Sequence, residues 1–155
     1  MARRFATPGT QGTVSSSFKS AIVIAGTAAT RPKFYSFILS TLGAAGDGVL
    51  EWILQRFTAA GTSTAATPRN IDATDPAAAV AVAGVNHSVE PTYTANSSLF
   101  DIGINQRATY TWNAWTEGAQ LLAPATAASG IGIAMLSSVA PAYTGVASVH
   151  VFHEE

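Results

Sequence analysis

The chain holds 155 residues, 48% of them hydrophobic and only 11% charged, with a formal net charge of −1. A disordered chain needs low hydrophobicity and high charge, a nucleic-acid binder needs a basic stripe that eight scattered Lys and Arg do not form, and a chain without cysteine has no disulfide framework or thiolate zinc site. No apolar run approaches the roughly 18 residues of a spanning helix, because the stretch 121–136 is broken by Pro124, Thr126, Ser129, Gly130 and Gly132.

Residues 1–18 read as an extended N-terminal arm, and residues 19–155 as a single domain. In the arm Arg3, Arg4, Pro8, Gly9, Gly12 and Ser15 to Ser17 show neither a period of 2 nor one of 3.6. Its start resembles a basic leader, yet Thr7, Pro8 and Gly9 follow where an apolar segment would be needed, so no secretory leader is expected.

Residues 20–25 form a short apolar strand candidate closed by Gly26. Pro32 holds Arg31 extended, and residues 33–42 alternate. Tyr35, Phe37 and Leu39 take one face and Phe34, Ile38 and Leu42 the other, as in a strand covered on both sides. After a glycine-rich turn, residues 49–58 fit a strand with Leu50, Trp52 and Leu54 on one face. Val49, Trp52, Ile53 and Phe57 also fit a helical stripe, but the shortness of the run and the flanking glycines favour the strand. Residues 61–70 read as a polar loop. Asp75 as N-cap, Pro76 as first helical residue and Gly84 as stop predict one short helix over 75–83.

The second half predicts strand after strand. Residues 97–105 place Phe100, Ile102 and Ile104 inward, and residues 108–114 place Tyr110 and Trp112 inward. Residues 119–122 are a short strand. Residues 130–137 put Ile131, Ile133 and Met135 on one face, with Gly130 and Gly132 on the other, where a neighbouring ring or backbone can approach closely. Residues 146–152 close the series. The pattern predicts an all-β fold: an antiparallel β-sandwich or jelly-roll-like barrel of about 7–8 strands with one short helix.

Chemistry is sparse. The chain has no G-x-S-x-G elbow, Walker A loop or dinucleotide fingerprint. His150 and His153, three apart on a strand, point to opposite faces and share no metal; both read as a solvated strand end. His87 reads as a surface loop histidine that bonds backbone. Of the acids Glu51, Glu90, Asp101 and Glu117, Glu51 and Asp101 are read on strand faces shared with no other acid, available to pair with Arg56 or Arg107. No catalytic, cofactor-binding or metal-binding residue is therefore expected, and no enzyme. Trp52, Trp112 and Trp115 are candidates for a sugar-stacking platform; Trp112, on the apolar face with Tyr110, reads as core, and Trp115 as an exposed ring suited to an interface or a sugar.

With so few charges and a positive mean hydropathy, much of the surface is expected to be buried against other protein chains, against a design norm of roughly 25–35% charged residues on a monomer's surface.

Four stretches carry a resemblance: Gln55-Arg-Phe-Thr-Ala-Ala-Gly-Thr-Ser-Thr64, Asn86-His-Ser-Val-Glu-Pro-Thr-Tyr93, Asn105-Gln-Arg-Ala-Thr-Tyr-Thr-Trp112 and Pro124-Ala-Thr-Ala-Ala-Ser-Gly-Ile-Gly132. Together they resemble small virion structural proteins of tailed bacteriophages, over about residues 20–154. The resemblance implies a head decoration, or capsid cement, protein. Such a protein would form a homo-oligomer, a trimer, on the major capsid protein at the capsid surface of the virion, after synthesis in the host cytoplasm, with no nucleic-acid or membrane partner. On that reading Arg3, Arg4 and Phe5 form a basic–aromatic clasp on the capsid and Trp115 an interface anchor. Alternatives are another virion component (a capsid subunit or tail protein) and a carbohydrate-binding β-sandwich module.

Overall fold

A computed structural model of the protein describes residues 2–12, 14–44, 46–137 and 143–155. Among them the chain forms twelve strands and one 3-10 turn, packed as two antiparallel sheets of six strands in a sandwich, with no closed barrel.

Sheet A takes β1 (Arg4–Gln11), β3 (Lys33–Leu42), β6 (Arg69–Asn70), β9 (Tyr110–Asn113), β10 (Leu121–Leu122) and β12 (Val146–Glu154). Its order is β10-β3-β12-β1-β6, with β9 paired to β3 as well. Sheet B takes β2 (Lys19–Ala25), β4 (Val49–Ala59), β5 (Thr62–Ala65), β7 (Val82–Val89), β8 (Thr92–Asn105) and β11 (Gly130–Leu136), in the order β5-β7-β2-β11-β4-β8. The 3-10 turn spans Glu117–Ala119. The sandwich was legible in the sequence; the count exceeds 7–8 because the expected arm supplies β1, the polar loop supplies β5 and β6, and residues 82–89, which held the end of the expected helix and the His87 loop, form β7.

The arm is the largest correction. β1 lies inside sheet A, paired over its whole length with β12 from Arg4↔Glu154 to Gln11↔Ala147, and flanked on its other side by β6. Phe5, Thr7 and Gln11 are buried. Gly9 is needed because a β-carbon there would lie 2.7 Å from both Ile22 Cβ and Val149 Cγ1. The domain therefore includes β1, and Phe5 is core.

The helix expected over 75–83 is absent as well. Its backbone groups are bonded elsewhere: Asn70 Nδ2 donates to the Asp75 and Pro76 carbonyls, the Ala79 N–H donates to Glu155, and the Ala81 N–H donates to the Ala25 carbonyl. The polar loop likewise yields β5 and β6.

The central core joins Ile22 and Ile24 of β2, Phe34, Phe37 and Leu39 of β3, Leu50, Trp52 and Leu54 of β4, Ile131 and Ile133 of β11, and Val149 and Val151 of β12. Phe34 is here with Phe37, against the simple alternation, because the pairing of β3 with β12 shifts between Phe152↔Ser36 and His153↔Phe34. Tyr35 is the extra residue of that bulge. A second, smaller cluster of Val23, Ala25 and Phe57 packs with Tyr93. Gly130 and Gly132 make room for it: a β-carbon would meet the Phe57 ring at 2.7 Å and the Tyr93 hydroxyl at 2.5 Å.

Candidate interaction surface

Three places gather polar side chains. The first is a node at the start of β2. Glu90 accepts hydrogen bonds from the Ser20 N–H at 2.8 Å and the Ser20 hydroxyl at 2.6 Å, and Tyr93 shares a bond of 2.7 Å with that hydroxyl. Lys19 balances the carboxylate at 3.5 Å. Burial pushes the Tyr93 phenol well above its usual range, against the opposing Ser20 bond. His87 lies on β7, buried rather than at the surface, with Nδ1 3.1 Å from the Ser20 carbonyl. Burial holds its imidazole below the usual range, against the opposing pull of the Ser20 carbonyl, Glu90 and the Ala60 backbone. Since Ser20 is fully buried and its hydroxyl is bonded to Glu90 and Tyr93 rather than to His87, the arrangement builds no nucleophile. It locks β2, β7 and β8 together.

The second lies where the two ends of the chain meet. His153 is fully buried, not solvated, and sits between the rings of Phe5 and Phe34. Its Nε2 is 3.9 Å from Glu155 Oε1, and Arg3 reaches Glu155 Oε2 at 3.2 Å. Burial alone would raise the Glu155 carboxyl, but His153, the Ala79 N–H and Arg3 outweigh it and hold the group below its usual range. His150 takes the opposite face of β12 and stacks on Phe152 at 4.8 Å, so the two imidazoles are divided by the sheet.

The third is the outer face of sheet A. Cross-strand pairing sets Phe152 opposite Ala6 and Ser36, and His150 opposite Pro8 and Ile38. Tyr35 lies beside Phe152, with ring centroids 6.2 Å apart, and the Arg4 guanidinium lies over Tyr35 at 5.7 Å. Burial raises the Tyr35 phenol, with Arg4 opposing and Glu154 adding to the rise. Tyr35, Ile38, His150 and Phe152 are all half-buried, and charge lies at the margins: Glu154 meets Lys33 at 3.5 Å and Arg4 at 3.9 Å at one end, and Arg69, opposite Ala6, stands exposed on the edge strand β6. A groove of about 860 Å³ opens there, lined by Arg4, Lys33 and Glu154 together with Ile71, Asp72 and Glu117.

The clasp residues thus part company. Phe5 is withdrawn into the core, Arg3 is tied to Glu155, and Arg4 remains on the outer face with a side chain 63% exposed. Trp115 follows β9 and is 93% exposed. Trp112 is half-buried and stacks on Phe37 at 5.1 Å.

Glu51 and Asp101 correct another expectation. Glu51 pairs with Gly103, and Asp101 with Ile53, so both carboxylates lie on the outer face of sheet B as diagonal neighbours. Arg56 and Arg107 pair with neither; Arg107 meets Asp47 at 3.1 Å instead. Two acids on adjacent strands are the raw material of a glycosidase pair, but no cavity described encloses them. Among the described residues no group of three or more His, Asp or Glu is placed to hold a metal ion.

Sequence reasoning missed the Ser20–Glu90–Tyr93 node and the Arg3–Glu155 tie, because each joins residues far apart in the chain. No protein-family model, no curated protein and no solved structure matches this chain.

Proposed function

We propose that the protein is a virion structural component, a capsid decoration protein that binds the outside of a phage head as an oligomer and stabilises the shell. The observation that carries this reading is the outer face of sheet A. Tyr35, Ile38, His150 and Phe152 form a half-buried apolar strip whose charges lie at its rim, Arg4, Lys33 and Glu154 at one end and Arg69 on the edge strand β6. An apolar centre with a charged rim is the anatomy of a protein interface. The nearly free ring of Trp115 supplies an aromatic anchor of the kind that dominates binding energy. Decoration acts by mass action, since a protein that binds the assembled shell better than free subunits shifts the balance toward the shell, and an oligomer adds avidity.

Light scattering on the purified protein, followed by co-sedimentation with undecorated phage shells, tests the reading. An oligomer that sediments with shells and raises their melting temperature supports it. A protein that stays in the supernatant with every shell offered overturns it. Trp115 also suits the face of a sugar ring, and glycan binding abolished by Trp115→Ala would favour the carbohydrate-binding alternative.

A further inference from the structure

We infer that the groove lined by Arg4, Lys33 and Glu154 is a binding site for a neutral oligosaccharide. The inference goes beyond shell attachment and assigns that groove a ligand of its own.

Separate parts of the chain build the groove. Arg4 comes from β1, Lys33 from β3 and Glu154 from β12, while Asp72 and Asp75 follow β6 and Glu117 opens the 3-10 turn. At about 860 Å³ it falls in the size range of small-molecule sites, with room for a short oligosaccharide. Trp115 is not among its lining residues, so this site is distinct from the exposed ring.

Its polar groups divide into engaged and unengaged. Glu154 is buried and engaged: it accepts a hydrogen bond from Gln120 Nε2 at 3.0 Å and meets Lys33 at 3.5 Å and Arg4 at 3.9 Å. That shared carboxylate positions both cationic heads, yet it leaves most of their N–H groups unused. Among the described residues the carboxylates of Asp75 and Glu117 make no ion pair and accept no hydrogen bond, and Asp72 engages one oxygen, with Thr74. Unused donors and unused acceptors therefore line the same groove.

That mixture selects the ligand. A bare anion would meet four carboxylates against two cations. A metal ion would meet Arg4 and Lys33, and among the described residues no three acids or histidines are placed to hold one. An apolar molecule would strip water from charged groups and return no hydrogen bond. A free amino acid matches both signs of charge but is small for the groove. A hydroxyl both donates and accepts, so a molecule carrying many of them satisfies the carboxylates and the N–H groups together and brings no charge. Ile71 stands exposed in the same lining and suits the C–H face of a sugar ring. The excess of carboxylates sets the specificity, because it repels sulfated and uronic-acid sugars and leaves neutral ones favoured.

The test applies the full chain to an array of neutral, sulfated and uronic-acid oligosaccharides. The best-retained neutral sugar is then titrated while the backbone amides are followed by NMR. Neutral sugars should be retained over acidic ones, and the shifts should centre on residues 71–75 and 117–120. Asp75→Ala and Glu117→Ala should each weaken binding by about tenfold, the loss of a hydrogen bond to a charged group, while Trp115→Ala should leave it unchanged. Circular dichroism checks that each variant keeps the fold, as expected for side chains that hold no partner. A blank array, retention of acidic sugars alone, shifts centred elsewhere, groove variants without effect, or binding lost with Trp115→Ala would each overturn the inference. Shell co-sedimentation separates the two readings: a protein that binds sugar and ignores shells ends decoration and leaves the groove site standing, and a blank array with sedimenting shells does the reverse.

Discussion

Phe5 stacks on His153 with ring centroids 5.3 Å apart and planes 25° from parallel. Through that contact, and through the Arg3–Glu155 ion pair beside it, the first strand of the sequence is anchored to the last.

The first prediction follows from it. Phe5→Ala should lower unfolding free energy by about 3–5 kcal/mol, the cost of a buried aromatic cavity, measured by urea denaturation. Deleting residues 2–11 should leave a chain without a cooperative thermal transition, because β12 then loses its partner along the whole edge. A truncated chain that melts like the parent would return this segment to the status of an arm.

Gly130→Ala should destabilise by about 1–3 kcal/mol through overpacking. The new methyl would press on the Phe57 ring at 2.7 Å and on the backbone of β2 beneath it. Unchanged thermal stability would mean that β11 and β2 lie further apart than described.

Acid should weaken the fold in two stages. The folded His87 titrates below its ordinary 6.5, so the unfolded chain binds that proton more tightly. Its contribution is complete above about pH 6.5 and is lost as pH falls from there through the folded value. Glu155 titrates below its ordinary 4.5 when folded. Its contribution is complete above about pH 4.5 and is lost at lower pH, through the folded value. Melting temperature should therefore fall between about pH 7 and 5, and His87→Gln should flatten that upper slope. A parent protein equally stable across that range would contradict the burial of His87.

The two tryptophans near β9 should behave oppositely. Trp112→Ala should cost about 2–3 kcal/mol, less than a fully enclosed ring, since part of it remains in water. Trp115→Ala should shift stability by no more than about 0.5 kcal/mol while weakening attachment to shells. Urea titration and co-sedimentation of the same two variants separate the effects.

Alternation made most strands legible. Residues 33–42 and 49–58 announced β3 and β4, and the glycines of β11 announced the close approach of Phe57 and Tyr93. β1 was hidden because its inward residues, Phe5, Thr7, Gly9 and Gln11, include only one large apolar side chain, while Pro8 and Gly9 carry the signature of a loop. The bulge at Tyr35 was hidden because an extra residue is defined only against the partner strand. The caps around 75–83 suited a helix, but Asn70 just upstream, and Glu155 and Ala25 far away in sequence, bind the groups that a helix would have paired internally. Of the surface, the freedom of Trp115 was readable; the shared face of Glu51 and Asp101 depended on strand register and was not.

β1 sits between β12 and β6, so the middle of sheet A joins the earliest of the twelve strands to the latest. β3 and β6 cannot be bridged until β12 has emerged, which forces this sheet to assemble late and slowly. During that interval the inward side of β1 can already rest on β2, which Gly9 approaches at Ile22, while the edge that β12 will take stays open to mispairing.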